Sequence, residues 1–517
     1  MAPPRRALAP PVADAAPRRA VDPLIVLLTA STGCALTVLD TNIVAIVLPT
    51  IARDLGASFA DIEWVISSYV LCFAALLMPA GAIADRFGRR RVFLVGIALF
   101  ALASVLCGLA RSPASLYLAR AFQGVGAAFL LAPALAIIAH AFHEEGARNR
   151  AWAIWGGMMG LTMVLAPLIG GIIVDLVGWR WAFDINAPIC AALALAVLRF
   201  VPESRDQAAR RLDPAGILLF SVTMFGMTSG LINGQAYGWG SAPAVASFGV
   251  GGGGLLAFVI AERAQARPML DLKLFRTPRL IGAVLAMFAY AGCAQVMASL
   301  LPLFLQNGLG QTPLHAGFDM LPFAGAMLVF PYVGRVIGRR ATSGQILTLG
   351  LSVAAAGGVL TSWGAHLGSM GVSMAGMLVL GSGGGLLNGE TQKAIMSAVP
   401  RDRAGMASGI STTARFSGIL MGFAVLSGVL ATTVRGSLAT AACGAGAGCD
   451  HARRFADAVV SGDLSRAVAG LAGPARALAV AQAHAAYSGG FAAAMATAAL
   501  GAGLSALLVA VLMRRRS

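Results

Sequence analysis

The sequence predicts an all-α protein that crosses a membrane many times, and three observations carry that prediction. Hydrophobic residues make up 58% of the 517 residues and charged residues only 12%, whereas a soluble domain carries about twice that share of charge. Windows of about 20 apolar residues recur along the chain. Basic residues are concentrated in every second loop, as expected when loops alternate between the two sides of a membrane.

Fourteen windows are long and apolar enough to span a bilayer. They lie near residues 24–49, 62–83, 92–110, 115–139, 151–174, 181–200, 214–233, 244–261, 280–305, 316–337, 344–362, 369–389, 405–431 and 489–513. Because this number is even, both termini should lie on the same side of the membrane.

The distribution of lysine and arginine predicts which side that is. Most of the 38 basic residues lie in the two terminal segments and in alternate loops, whereas the short loops between those hold only Arg53, Arg111 and Arg180. Basic loops are retained on the cytoplasmic side, so we expect a multi-pass protein of the cell membrane with both termini in the cytoplasm. The net charge of +16 would suggest a nucleic-acid partner in a soluble protein, but a basic binding face would not alternate sides in this way.

The spans group into larger units. We expect a disordered cytoplasmic tail, a six-helix bundle, two inserted spans with cytoplasmic linkers, a second six-helix bundle and a short cytoplasmic tail, over residues 1–22, 23–200, 201–279, 280–513 and 514–517. The end of span 2, with Gly88-Arg89-Arg90, recurs at the end of span 10 as Gly338-Arg339-Arg340. Paired repeats of this kind are typical of transporters built from two bundles.

One long external loop is predicted over residues 432–488, with a short helix around 452–484. It holds Cys443 and Cys449 on the oxidising side of the membrane, where either a small disulfide or two free thiols would fit. The sequence shows no cysteine and histidine spacing typical of a metal site.

The turn between spans 2 and 3 reads GAIADRFGRRR over residues 81–91. Orientation in the membrane would require only its arginines, yet glycines and an aspartate stand in register with them. The positions of interest are Gly81, Asp85, Arg86, Gly88, Arg89 and Arg90.

Further motifs lie within the spans. Span 1 carries Leu39-Asp40-Thr41 followed by Leu48-Pro49, and span 4 carries Arg120 and Gln123 in LARAFQGVGAA. Small residues and a proline recur along span 5, at Gly157, Gly160, Pro167, Gly170 and Gly171.

Together these motifs resemble the fourteen-span drug:proton antiporters of the EmrB/QacA type, in the major facilitator superfamily, over nearly the whole chain from about residue 24. The resemblance implies the major facilitator fold, with two six-helix bundles and two extra central spans. It implies an antiporter that exports hydrophobic or cationic small molecules, such as antibiotics and dyes, driven by the proton gradient without a bound cofactor. The chain departs from the family pattern at Ala166, which weakens the antiporter signature slightly, and at Asp184, which leaves the substrate pocket less predictable.

The same resemblance assigns roles to three groups of residues. The turn at residues 81–90 would form a cytoplasmic gate, and the glycines and Pro167 of span 5 would form the antiporter helix. Asp40 and Arg120 would couple transport to protons.

Physical reasoning supports the last pair independently. A charge within a span is unfavourable and therefore usually functional, and Asp40 and Arg120 lie at similar depths in spans of opposite direction. We expect an ion pair in which protonation of Asp40 changes the preferred packing. The alternative is a static pair that only fixes helix register.

Six residues are candidates for lining the substrate cavity: Asp40, Tyr69, Gln123, Asp184, Phe304 and Arg415. The acid favours a cationic substrate and the two arginines favour an anionic one, so substrate charge stays open. Aromatic residues in spans also serve as packing or interfacial anchors, and Asp184 also fits an interfacial position.

Three classes of function were weighed. An exporter of many hydrophobic or cationic compounds leads, and an exporter of one endogenous metabolite, such as a self-made antibiotic, peptide, siderophore or lipid, is the alternative. An intramembrane enzyme is disfavoured because no span pairs a nucleophile with a base. A receptor is disfavoured because it would not need both Asp40 and Arg120 within spans. No G-x-x-x-x-G-K-[ST] loop is present, which argues against a nucleotide-driven pump. The expected partners are a small-molecule substrate, protons and the lipid bilayer, and the expected state is a monomer.

The predicted topology can be tested by labelling in intact cells. After mild reduction, a membrane-impermeant thiol reagent should modify Cys443 or Cys449. It should not reach a cysteine introduced in residues 201–211, because that segment lies in a predicted cytoplasmic linker. Labelling of the introduced cysteine in sealed cells would contradict this topology.

Overall fold

The protein is built from helices that run back and forth across the predicted membrane. The computed structural model describes residues 22–142, 144–205, 213–265, 272–399, 404–444, 449–464, 468 and 471–514. Within these residues, fourteen helical stretches are long and apolar enough to cross a membrane. The predicted all-α fold and number of spans are therefore confirmed.

The first six spans comprise seven helices, because the sixth span is broken after Asp184. The helices are α1 (Pro23–Leu55), α2 (Phe59–Phe87), α3 (Arg89–Gly108), α4 (Pro113–Ala141), α5 (Glu145–Val177), α6 (Trp181–Asp184) and α7 (Asn186–Phe200). Helix α4 lies against α1, α2 and α3, and α1 packs along α5. The polar residues of the first spans are therefore brought together around α4.

Two spans, α8 (Pro214–Tyr237) and α9 (Ala242–Ala264), form a hairpin between the two groups of six spans. They cross where small residues meet, because a Cβ built on Gly226 would lie 2.4 Å from the backbone nitrogen of Gly251. Helix α8 also packs on α2 and on the thirteenth span. The inserted hairpin thus covers one side of the junction between the two groups.

The remaining spans contain two π-helical turns, Tyr290–Gln295 and Phe304–Gly308. The α-helices are α10 (Pro278–Ala289), α11 (Met297–Leu303), α12 (Pro313–Asp319), α13 (Leu321–Ile337), α14 (Ser343–Leu367), α15 (Met370–Leu387), α16 (Glu390–Ala398), α17 (Ala404–Gly444), α18 (Cys449–Val460) and α19 (Gly473–Arg514). A 3₁₀ turn, Leu272–Arg276, precedes α10. Helix α14 packs between α15 and α19, and α17 packs along α19.

The segment predicted as a long external loop is largely helical. Helix α17 continues to Gly444 and α19 begins at Gly473, so the predicted helix around 452–484 is wrong in its bounds. Alanine is the strongest helix former, and the alanine-rich sequence lets both helices extend beyond the apolar windows. The side chains of Cys443 and Cys449 lie outside the described residues, as does the tail 1–21.

The two groups of spans meet through a few helices. Helix α5 packs against α12 and α13, α1 packs against α11, and α2 packs against α17. By contrast, α1–α7 make their larger contacts among themselves, as do α13–α19. The predicted division into two bundles and an inserted hairpin, with its bounds, stays a prediction.

The crossing of α8 and α9 gives a test of the inserted hairpin. Gly251→Leu would force a side chain against the backbone of Met227, 2.7 Å from the Cβ position. Overpacking of this kind destabilises by about 1–3 kcal/mol, so thermal unfolding in detergent should shift to lower temperature. Gly253→Leu is the matched control in the same helix, because nothing lies within 4 Å of its Cβ position. Equal melting temperatures for the two variants would contradict this packing.

Candidate functional site

An ion pair between α1 and α4 lies at the centre of the first bundle. Arg120 donates from Nη1 to Asp40 Oδ2 at 2.6 Å. The exposed fractions of the two side chains are 2% for Arg120 and 0% for Asp40. The structure therefore brings the two predicted residues together where neither charge contacts solvent.

Neutral polar side chains complete this site. Gln123 donates from Nε2 to Asp40 Oδ1 at 2.8 Å and accepts from Arg120 at 2.6 Å. Asn186, at the start of α7, also donates to Asp40 Oδ1 at 3.1 Å. The Ser104 hydroxyl on α3 accepts from Gln123 at 2.8 Å and from Asn186 at 3.3 Å. We call Asp40, Arg120, Gln123, Ser104 and Asn186 the buried polar network.

Residues on α2 and α6 enclose the guanidinium group of Arg120. Its Nε donates to the carbonyl of Val65 at 3.3 Å. The carbon Cζ lies 4.1 Å from the ring centre of Tyr69 and 5.9 Å from that of Phe183. A cation over aromatic faces is stabilised by the ring quadrupole. The two rings therefore replace part of the hydration energy that the guanidinium loses on burial.

Sequence reasoning missed the roles of Ser104 and Asn186 in this network. Ser104 is one hydroxyl in an apolar span, and serine in a span often bonds only to its own helix. Asn186 carries no charge and lies close to the end of its predicted span. The signal in the sequence was the amide side chain of Asn186. Its role becomes visible only in the fold, where α6 and α7 pack beside α3.

The network has no net charge when Asp40 is ionised. Protonation of Asp40 would leave the buried guanidinium without its counter-charge, and an uncompensated buried charge is strongly unfavourable. The arrangement seen here is thus the one that suits a deprotonated Asp40. A proton on Asp40 would favour another packing or the entry of water.

The six cavity candidates occupy different environments. Asp40, Tyr69, Gln123 and Phe304 are buried, and Phe304 stacks on Phe491 with ring centres 4.1 Å apart. Arg415 is partly exposed and donates from Nε to Gln295 Oε1 at 3.0 Å, within the first π-helical turn. Asp184 is also partly exposed, beside Gly108 of α3. Their role in substrate binding stays a prediction.

The turn between α2 and α3 is held by ion pairs and by the chain that follows α7. Asp85 pairs with Arg89 at 2.8 Å, one helical turn later. Gly88 has φ +114, which favours glycine, and a Cβ there would lie 2.7 Å from Glu203 Oε1. Glu203 in turn accepts from the backbone nitrogen of Arg90 at 3.1 Å. Sequence reasoning missed Glu203, because it lies far away in sequence and in a linker.

The other predicted residues of this turn are less enclosed. Arg86 is exposed, and its guanidinium lies 5.5 Å from the ring centre of Phe87. Arg90 donates from Nη2 to the carbonyl of Leu198 at 2.6 Å. Gly81 faces Ala132 of α4, 3.8 Å from its Cβ position. The backbone nitrogen of Arg89 also donates to the carbonyl of Ser204 at 3.0 Å. The turn therefore docks on α7 and the chain after it through Gly88, Arg89 and Arg90, while Asp85 pairs within the turn.

Four of the five predicted residues of α5 lie at the contact between the two bundles, and the fifth, Gly170, faces α1. A Cβ on Gly160 would lie 2.3 Å from Leu328 of α13, and one on Gly171 would lie 2.7 Å from the Cα of Leu314 in α12. The carbonyl of Pro167 lies 2.6 Å from the Cβ position of Gly317 in α12. Gly157 faces the Tyr332 hydroxyl at 3.7 Å, and Gly170 faces Ile43 of α1 at 3.4 Å. Close packing by small residues is thus present, while a gating role stays a prediction.

No group of three or more His, Cys, Asp or Glu side chains that could hold a metal ion occurs among the described residues.

Comparisons with known proteins agree with this architecture. A sequence model described as the Major Facilitator Superfamily matches residues 30–423. The "Multidrug resistance protein Stp" of Mycobacterium tuberculosis is 36% identical over 416 residues, which cover 80% of this chain and 77% of that protein. The "Tetracenomycin C resistance and export protein" of Streptomyces glaucescens is 33% identical over 79% of this chain and 76% of its own length.

Solved structures show the same fold at lower identity. A bacterial homologue of the human lysosomal transporter Spinster, in an inward-facing and unoccupied conformation, has a TM-score of 0.65 at 16% identity. The match covers 95% of this chain and 97% of that one. The predicted major facilitator fold is confirmed, and the matched family is one of transporters rather than enzymes.

Asp85 provides a test of the predicted cytoplasmic gate. Asp85→Asn keeps the side-chain shape but removes the charge that pairs with Arg89. An ion pair between residues four apart on a helix contributes only about 0.3–0.5 kcal/mol, so expression and melting temperature should hardly change. We expect efflux of a fluorescent dye from cells to fall strongly.

The matched control is Glu390→Gln, which removes another short-range helical ion pair, with Lys393 at 3.1 Å. Its dye efflux should resemble that of the unaltered protein. Efflux at the unaltered level by Asp85→Asn would return this carboxylate to the role of a solvated loop charge.

Proposed function

The chain belongs to the major facilitator superfamily, and from that premise we propose that it exports hydrophobic or cationic small molecules, antibiotics and dyes among them, in exchange for protons. The relatives support the export of drugs, because their names describe multidrug resistance, antibiotic export and drug efflux. Coupling to protons is proposed from the geometry of the buried polar network.

The single observation that carries the coupling proposal is the enclosed pair of Asp40 and Arg120. A buried ion pair is a poor source of stability compared with apolar packing, so its presence calls for another role. Asp40 carries the only negative charge of the network, and it accepts hydrogen bonds from Arg120, Gln123 and Asn186. A protonated carboxyl group would accept these bonds more weakly. Gain and loss of a proton would therefore switch the packing of α1, α3, α4 and α7.

Transport needs this switch to act on the contact between the bundles. Helix α1 carries Asp40 and also faces α5, with Ile43 against Gly170. Gln306, in the second π-helical turn, donates across to the carbonyl of Ile46 on α1 at 2.8 Å. A shift of α1 would reach the second bundle through these contacts, which lie within two turns of Asp40.

The topology completes the proposal. The bundles would comprise residues 23–200 and 280–513, with 201–279 as the insertion. Both termini would lie in the cytoplasm, and the chain would act as a monomer in the cell membrane. The packed contacts of α5 with α12 would then lie on the external side, and the turn at Asp85 would lie on the cytoplasmic side. Alternating access would open one of these ends at a time.

A narrower substrate range is the second candidate. The relative from Streptomyces glaucescens is named for resistance to and export of tetracenomycin C, and another, from Amycolatopsis lactamdurans, is named a cephamycin export protein, at 34% identity. This chain could serve one self-made compound in the same manner. Drug susceptibility with and without the gene in an efflux-deficient host separates the candidates, because protection against several unrelated compounds supports the broad range.

Proton release tests the coupling site. If substrate and proton compete for one arrangement of the network, adding ethidium to purified protein in weakly buffered detergent should release protons. Asp40→Asn should abolish this release, because an amide cannot carry the proton. Asp175→Asn is the control, since Asp175 is an exposed acid on α5. Arg120→Ala removes one partner of a buried pair, which destabilises by about 3–5 kcal/mol, and should also abolish release.

Undiminished proton release by Asp40→Asn would move the coupling site elsewhere, with Asp184 the next residue to examine. Loss of release in Asp175→Asn would show that the assay reports surface charge rather than the network.

A further inference from the structure

Another buried acid, Glu63, lies near the start of α2 and does not belong to the buried polar network. Glu63 is 1% exposed, and its Oε1 accepts a hydrogen bond from the Ser427 hydroxyl of α17. Among the residues that the structure describes, no donor reaches its other oxygen, Oε2. Buried polar atoms normally have one, so this carboxylate is incompletely satisfied.

This acid borders a cavity of about 670 Å³. The cavity lies where the start of α2, the end of α8, the later part of α17 and helix α18 meet. Its apolar wall comprises Phe59, Ala60, Ile232, Ala236, Tyr237 and Ala439. Sites for drug-sized ligands range over about 300–1,000 Å³ and combine an apolar wall with a few polar groups.

The charges around the cavity leave one acid in excess. Arg435 of α17 and Asp457 of α18 both line it, and they pair with each other at 2.8 Å. Glu63 is the remaining acid of this lining. A buried carboxylate is unfavourable without a counter-charge, so an organic cation beside Glu63 would stabilise its ionised form. Asp61, the nearest other acid on α2, is engaged in the capping box with Ser58 at the helix start.

We propose that this cavity binds an amphiphilic organic monocation, with the cationic group on Glu63 Oε2 and the apolar body against the wall formed by α2 and α8. The proposal rests on the proposed function, of which it names a substrate class and a second binding site. Bundle one, the inserted hairpin and bundle two all contribute to the cavity, and it lies at the predicted external end. It is placed to hold a cation on its way out of the protein.

Binding to purified full-length protein tests this site, with ethidium as the fluorescent monocation. Glu63→Gln keeps the shape and the contact with Ser427, and it should weaken binding by about 10- to 100-fold, because a hydrogen bond to a charged group is worth about 1.5–3 kcal/mol. Asp54→Asn is the matched control. It removes one acid at the same predicted end, where Asp54 pairs with Arg180. Its affinity should equal that of the unaltered protein.

A cavity-filling variant keeps the test decisive if Glu63→Gln folds poorly. Ala236 is exposed on α8 and lines the cavity, so Ala236→Trp should fold normally and should also weaken ethidium binding. Efflux of a neutral drug should persist in both variants. Ethidium affinity unchanged in Glu63→Gln or in Ala236→Trp would overturn the site, even where the unaltered protein still exports drugs. Failure of the unaltered protein to export any compound would instead refute the proposed function.

Discussion

The ion pair between Asp40 and Arg120 constrains the first bundle, because neither charge reaches water. Removing two charges from water is unfavourable by several kcal/mol for each ion, and attraction alone offsets this only with good geometry and further hydrogen bonds. Gln123 and Asn186 supply those bonds to the carboxylate. The Tyr69 ring covers the guanidinium. Four helices are thereby held in the one arrangement that suits the charged pair.

The contact between the bundles is of a different kind. Where α5 meets α12, backbone lies on backbone, with Gly171 against Leu314 and Gly317 against Pro167. Small residues allow this close approach of the two backbones. We infer that α5 and α12 can move apart together with their bundles. A change in the buried polar network, by contrast, requires individual hydrogen bonds to break. The first bundle would therefore respond to the proton, and the smooth interface would convert that response into movement.

Sequence reasoning predicted the features that depend on composition or on the rarity of buried charge. Fourteen spans followed from apolar windows, and Asp40 and Arg120 stood out because charges are exceptional in a span. The hydrogen-bond partners of these sites could not be predicted in the same way. Serine is common in spans, so Ser104 did not stand out, and Glu203 lies far in sequence from the turn that it contacts. The extension of α17 to Gly444 was missed because alanine favours helix without being strongly apolar.

Glu63 escaped attention for a further reason, since it lies near a predicted span end, where an acid is unremarkable. Only the fold shows that α17 and α8 cover it. Asp40 and Glu63 therefore differ in which parts of the protein their hydrogen bonds connect. Among the described residues, Asp40 bonds only within the first bundle, so its protonation would alter the internal packing of that bundle. Glu63 contacts Ser427 in the second bundle, so a cation there acts on the junction itself. An exchanger needs both kinds of effect, because the driving ion must change the protein's preferred arrangement and the cargo must respond to the opening of the junction.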